Sequence, residues 1–66
     1  MTPTDLIRWR KHLGLSQIAA ARALGMSTAG LRKLEKGESK IRKPVRLACA
    51  AIALGITDYD GPNTGD

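Results

Sequence analysis

Apolar residues recur at spacings of three and four along most of the chain, and glycines separate the periodic segments. This spacing places apolar side chains on one face of a helix, whereas a half-buried strand would alternate them with polar side chains. Gly14, Gly25, Gly37 and Gly55 each follow a short periodic segment, and glycine is common where a helix ends. The pattern therefore predicts four short helices.

The residues before each segment indicate where the helices begin. Thr2, Ser16 and Ser27 can each accept a hydrogen bond from a free amide in the first turn of a helix. Pro3 and Pro44 suit the first helical position, where no amide hydrogen is needed. The predicted helices cover residues 3 to about 13, 17–24, 28 to about 36 and 44 to about 54, and a tight turn at 25–27 joins the second to the third.

Helical periodicity also assigns side chains to the core. Leu31 and Leu34 of the third helix are predicted to point inward, and Ile41 of the following loop to tuck into the core. In the second helix, Ile18 and the alanines after it, together with Leu24, are predicted to form the packing face. Small side chains there would let another helix come close.

The fourth predicted helix is apolar nearly all round. Val45, Ala48 and Ile52 make one face, and a second apolar face lies beside it. A helix of this kind must be buried on two sides, and in so short a chain a symmetric partner could cover the second side. The alternative is that small alanines simply tolerate exposure. The candidate dimer surface consists of Leu47, Ala51, Leu54 and Ile56.

Composition fits a small helical domain without catalytic or metal chemistry. The 66 residues make one domain, and only two aromatic residues are present, which suits packed helices better than a sheet. Cys49 cannot form an internal disulfide and is predicted to be a small buried apolar residue. His12 has no evident catalytic partner, so no enzyme activity, metal or cofactor is expected. No signal-peptide or membrane-spanning pattern is present, so a cytoplasmic protein is expected.

Charge divides the chain into a basic domain, residues 1–57, and an acidic tail, residues 58–66. The domain carries all eleven Lys and Arg and three acids, a formal charge of +8, whereas the tail carries three aspartates. The tail is polar and turn-forming and is predicted to be disordered. A charge of +8 on so small a domain exceeds what solubility requires, and it indicates a polyanion as partner.

The centre of the chain carries a specific motif, LGLSQxxxAxxLGxSxxxLxxLExG. Its capping residues, corner glycine, inward leucines and terminal Glu-x-Gly stand in one register, and in this it resembles the helix-turn-helix of the lambda-repressor and Cro-like (XRE-type) family. The resemblance extends over about residues 5–56. The matching residues are Leu13, Gly14, Leu15, Ser16, Gln17, Ala21, Leu24, Gly25, Ser27, Leu31, Leu34, Glu35 and Gly37.

The resemblance implies both a fold and a function. It implies a compact, all-α, lambda-repressor-like domain of four to five helices with a central helix-turn-helix. In this family the third helix lies in the major groove, the second crosses the DNA backbone, and dimers read two half-sites roughly 34 Å apart. It therefore implies a bacterial or phage-encoded regulator that binds DNA as a dimer.

The residues at the family's DNA-contacting positions differ in what they could bind. The position of Gln17 contacts phosphate in the family, and a free helix start suits that role; an exposed first-turn residue is the alternative. Thr28 and Ala29 stand at base-reading positions, and their methyl groups suit thymine. Arg32 is long enough to reach O6 and N7 of guanine, with a contact to phosphate alone as the alternative. Close approach to DNA or to the second helix would explain Gly30, which costs about 1 kcal/mol relative to Ala.

Basic residues lie at the end of the third helix and after it, at Lys36, Lys40, Arg42 and Lys43, where they could contact phosphate. A charge run is often only a solvated face, but this one flanks the predicted reading helix. The candidate DNA-binding residues are Gln17, Ser27, Thr28, Ala29, Arg32, Lys33, Lys36, Lys40, Arg42 and Lys43.

Arg10 and Glu35 form a second candidate constellation. A carboxylate near the C-terminal end of the third helix is unfavourable to the helix dipole and needs a cation. The family resemblance points to Arg10 as that cation. We expect a structural ion pair; a free surface acid is the alternative.

The sequence as a whole predicts a sequence-specific regulator that binds double-stranded DNA. We expect a dimeric repressor on a palindromic operator. Two other classes stay open. An antitoxin-type protein-interaction module would show an exposed apolar patch outside the dimer surface, and a nonspecific nucleic-acid binder would bind random and operator DNA equally well.

Overall fold

The computed structural model describes residues 1–56, and every regular element in that range is a helix. The four helices are α1 (Pro3–His12), α2 (Gln17–Leu24), α3 (Thr28–Lys36) and α4 (Lys43–Ala53). The all-α prediction is confirmed. The bounds of α2 and α3 coincide with the predicted ones, and those of α1 and α4 differ by one residue. The predicted acidic tail, 58–66, lies outside the described residues.

Side-chain caps begin the first three helices. The Oγ1 atom of Thr2 accepts a hydrogen bond from the backbone N–H of Asp5 over 3.1 Å, and the Asp5 carboxylate accepts one from Thr2 N–H over 2.9 Å. This reciprocal pair is a capping box, and its hydrogen bonds hold the pKa of Asp5 below its ordinary value. Ser16 and Ser27 cap α2 and α3 with a single bond each: their Oγ atoms accept from the backbone N–H groups of Ala19 and Gly30, each over 3.0 Å. Each cap satisfies an amide that would otherwise lack a partner.

The turn between α2 and α3 depends on glycine at its first position. Gly25 has φ +71°, in the left-handed region. A Cβ at this residue would meet no atom within 4 Å, so backbone conformation and not space favours glycine. Met26 follows; its N–H donates to Ala21 O over 2.9 Å, and its side chain packs against the core. The turn thereby fixes α3 against α2.

A small core holds the helices together. Leu6, from α1, and Leu31, from α3, are fully buried. α3 packs against both α1 and α2, and α4 packs against α2. The predicted inward positions of Leu31 and Leu34, and of Ile41 in the loop, are confirmed. The buried core residues are Leu6, Ala20, Ala21, Leu31, Leu34, Ile41 and Cys49.

A hydrogen bond from Trp9 ties α4 to α1. The indole Nε1–H donates to the backbone oxygen of Cys49 over 2.9 Å. The Cys49 side chain is buried, which raises the pKa of its thiol, so this cysteine is the small buried residue that its context predicted. The sequence pattern does not predict this tie, because the two residues are 40 positions apart and local periodicity gives no partner for the indole.

The predicted packing face of α2 is wrong at Ile18, whose side chain is 59% exposed. Ala20 and Ala21 are the residues of α2 that are buried. At about 100° per residue, Ile18 lies far around the helix axis from Ala20 but only about 60° from Ala21. It therefore sits at the edge of the buried face, where it is exposed, and a run of consecutive apolar residues does not show where that face ends.

Candidate nucleic-acid interface

α3 presents one exposed polar face beside its buried leucines. Ala29, Arg32 and Lys33 are exposed, whereas Thr28 is half-buried. We call these four residues the reading face. Leu31 and Leu34 lie on the opposite side and anchor the helix to the core. The structure therefore brings the predicted base-reading residues together on one accessible surface.

Ser27 and Gly30 build the start of this helix. Ser27 Oγ accepts a hydrogen bond from Gly30 N–H, so the hydroxyl has a capping role besides any contact with DNA. A Cβ on Gly30 would lie 3.1 Å from that same oxygen, and no atom of α2 lies within 4 Å of it. Close approach to α2 therefore does not explain this glycine. Crowding of the cap is the constraint that the protein itself imposes.

Arg10 and Glu35 form a two-pronged ion pair between α1 and α3. Arg10 Nε lies 2.7 Å from Glu35 Oε2, and Nη2 donates to Oε1 over 3.2 Å. The guanidinium also donates to the backbone oxygen of Leu15 over 3.1 Å. The two side chains are only 14% and 5% exposed. The pair joins α1, α3 and the loop between α1 and α2, and its geometry is the bidentate form that gives the strongest charge-assisted bonds.

The pKa of Glu35 reflects two opposing effects. Burial raises the pKa, because a charged carboxylate loses its water. Hydrogen bonds from Arg10 and Gln17 lower it, and with the charges of Arg10 and Lys11 they leave the pKa below the ordinary value of 4.5. Glu35 is therefore a carboxylate at neutral pH, as the ion pair requires.

Gln17 lies between this pair and the reading face. Its Nε2 donates to Glu35 Oε1 over 3.1 Å, and its Oε1 accepts from Nε of Arg32 over 3.1 Å. Gln17 is half-buried and bonded at both ends of its amide, so it is more than an exposed first-turn residue, and its contact with phosphate stays a prediction. Sequence reasoning missed both contacts. They join residues 15 and 18 positions apart, and local periodicity carries no signal for them.

The remaining basic candidates are exposed at the end of α3 and along the path to α4. α4 begins at Lys43, and the residue before it, Arg42, makes no side-chain capping bond. A helix start without a side-chain cap, next to basic side chains, has the chemistry that suits a phosphate oxygen. The exposed basic residues of this stretch are Lys36, Lys40, Arg42 and Lys43.

One side of α4 faces the core and the other faces solvent. Cys49 is buried, and Val45 and Ile52 are half-buried on the inward side. The candidate dimer surface is open: Leu47 is 59% exposed and Leu54 77%. Ala51 is half-buried and Ile56 is exposed. The alternative that small alanines tolerate exposure does not explain this surface, because its most exposed side chains are leucines.

Residues 1–56 contain no cluster of three His, Cys, Asp or Glu side chains that could hold a metal ion. None of the helices described is long and apolar enough to span a bilayer.

Comparison with known proteins assigns the arrangement to a family. The family whose model matches residues 6–52 is described as helix-turn-helix, and the match runs from α1 almost to the end of α4. No curated protein and no solved structure matches the chain significantly.

Proposed function

Since the chain belongs to the Cro/C1-type helix-turn-helix family, we propose that it is a sequence-specific DNA-binding repressor that acts as a homodimer. The observation that carries this proposal is the reading face of α3. This face is accessible to solvent and basic at two of its four positions, and the buried leucines on the opposite side of α3 anchor the helix to the core. A helix about 10–12 Å across fits a major groove about 12 Å wide.

The reading face offers two kinds of base contact. Arg32 carries a planar guanidinium that can donate two hydrogen bonds to O6 and N7 of guanine. Thr28 and Ala29 present methyl groups that suit the methyl group of thymine. We therefore propose a half-site that contains both guanine and thymine.

The exposed basic residues at the end of α3 and after it would contribute to affinity but not to sequence preference. They follow the reading face in the sequence and would lie near the phosphate groups that flank the groove. These residues are Lys36, Lys40, Arg42 and Lys43. Contacts of this kind release counterions, so binding would weaken as salt rises.

A second copy of the chain would complete the site. A single short helix reads few base pairs, and two copies related by a two-fold axis would read half-sites roughly 34 Å apart. The exposed side chains of Leu47, Leu54 and Ile56 support this step, because large apolar side chains exposed together often mark an interaction surface. The operator would then be palindromic and its occupation would block transcription.

Selection of bound sequences from a random DNA pool tests the proposal. We expect an inverted repeat with guanine and thymine in each half and with half-site centres about 10 base pairs apart. Competition with unselected DNA is the control. Equal affinity for selected and random DNA would show a nonspecific nucleic-acid binder instead.

An antitoxin-type interaction module receives no comparable support. Ile18 is exposed on α2, outside the candidate dimer surface, but it stands as a single residue there. Isolated exposed apolar residues are normal on protein surfaces. Sequence-specific DNA binding therefore remains the function that the described residues support best.

A further inference from the structure

Arg32 is connected to the buried ion pair through one side chain, that of Gln17. The Nε–H of Arg32 donates to Gln17 Oε1, and Gln17 Nε2 donates to Glu35 Oε1, each over 3.1 Å. Glu35 is in turn held by Arg10. A continuous chain of hydrogen bonds therefore runs from the interior of the domain to an exposed arginine of the reading face.

The orientation of the Gln17 amide is fixed by its two neighbours. Its oxygen faces the guanidinium of Arg32, which can only donate hydrogen bonds, and its nitrogen faces the carboxylate of Glu35, which can only accept them. Rotating the amide by half a turn would set donors against donors and acceptors against acceptors. The amide therefore has one favourable orientation, in which its oxygen points to Arg32.

This arrangement occupies one edge of the guanidinium and leaves the other available. Within residues 1–56, the hydrogen bond of the Arg32 side chain uses Nε, while Nη1 and Nη2 stay unbonded. The Nη edge can approach O6 and N7 of guanine with two parallel hydrogen bonds. An untethered arginine on a helix surface would lose more conformational freedom on binding DNA. The hydrogen bond to Gln17 orients Arg32 in the free protein and so lowers the entropic cost of the base contact.

Resting on the proposed function, we propose that Gln17 is a positioning residue for base selection, which presents the Nη edge of Arg32 to the major groove. This role differs from a phosphate contact in its consequences. Loss of a phosphate contact weakens binding to all sequences alike. Loss of a positioning residue acts through Arg32, so it changes the preference at one base position.

A double-mutant cycle on DNA tests the proposal. Gln17→Met keeps the length of the side chain and removes both hydrogen bonds, and it is combined with Arg32→Ala. Affinity is measured on the best selected site and on sites changed at the base whose preference Arg32→Ala relaxes. We expect Gln17→Met to weaken binding to the best site about 5-fold, a change within the range of coupling energies between residues in contact. In the Arg32→Ala background, Gln17→Met should cause no further loss of affinity.

Three outcomes would overturn the positioning role, and they identify what failed. If Gln17→Met weakens all sites alike and adds to Arg32→Ala, Gln17 contacts phosphate. If Gln17→Met changes nothing while Arg32→Ala relaxes the preference, only the positioning role fails. If Arg32→Ala itself changes neither affinity nor preference, the reading role in the proposed function fails, and the positioning role fails with it.

A measurement without DNA checks the tether itself. In the free wild-type protein, the Nε–H of Arg32 should give a proton–nitrogen signal that is shifted and exchanges more slowly than that of an untethered arginine, because it is hydrogen-bonded to Gln17. In Gln17→Met the signal should move to the position of a free arginine and exchange rapidly, while the backbone spectrum shows that the fold is intact. The exposed Arg8, on α1, provides the reference for an untethered arginine. An Arg32 signal that already matches Arg8 in the wild type would overturn the inference.

Discussion

At the scale of single residues, the ion pair of Arg10 and Glu35 connects α1 to α3 and is hydrogen-bonded to Gln17. Glu35 sits near the end of α3, where a carboxylate needs a cation, and that need with the family motif identified Arg10. The link from Gln17 to Arg32 could not be found in this way. It depends on how α2 and α3 cross, and each side chain alone has an ordinary role on a helix surface.

Replacement of Arg10 by methionine should destabilise the domain strongly. Arg10→Met leaves Glu35, whose side chain is only 5% exposed, without its cation. Removing one partner of a buried pair costs about 3–5 kcal/mol of unfolding free energy. Urea unfolding at pH 7 measures it. Arg8→Met, on the exposed side of the same helix, is the matched control and should cost less than about 0.5 kcal/mol. Equal midpoints for both variants would contradict a structural role of the pair.

Acid should remove the stabilisation that Glu35 provides. Its pKa is lower in the folded protein than the ordinary value of 4.5, so its contribution is present above pH 4.5 and is lost as the pH falls through the lower folded value. Glu35→Gln should therefore be less stable than the wild type at pH 7 and should lose less stability on acidification. The pKa of Asp5 is also lowered in the folded protein, so the stability of the variant keeps a smaller dependence on acid. Parallel pH profiles of the two proteins would disagree with this account.

At the scale of elements, the helix boundaries could be predicted and the packing of one helix could not. Thr2, Ser16 and Ser27 are local signals, and each caps the helix that it was expected to cap. The eight-residue α2 contains six apolar residues, so its sequence does not select one inward face. The neighbouring helices make that choice, and Ile18 and Ala23 are the apolar residues left exposed.

The basic stretch after α3 should act as one unit on DNA. Lys40→Ala and Lys43→Ala should each weaken binding to all sequences alike and lower the slope of log affinity against log salt by about 1. The reason is that each phosphate contact releases counterions. Titrations of selected and unselected DNA at several salt concentrations measure both effects. Arg8→Ala, an exposed arginine outside the candidate interface, is the control for charge alone. A loss confined to one DNA sequence would mean that these lysines read bases.

At the scale of the whole molecule, α4 links the fold to the proposed assembly. Its inward side is tied to α1 through Trp9 and Cys49, so its outward side has a fixed position on the domain. The apolar pattern around α4 predicted two faces from the sequence alone. It could not say what covers the second, because that depends on a molecule outside the chain.

Leu54→Glu should separate the proposed dimer and leave the monomer folded. Leu54 is 77% exposed in the single chain, so a charge there costs the monomer little but would be buried without a partner between two copies. Binding to a palindromic operator should weaken far more than the melting temperature falls, because two linked copies contact two half-sites. Ile18→Glu is the matched control for oligomeric state: Ile18 is 59% exposed and lies outside the surface, so this variant should stay dimeric. Analytical ultracentrifugation decides the matter, since a wild-type monomer at tens of micromolar, both free and with palindromic DNA, would refute the dimer.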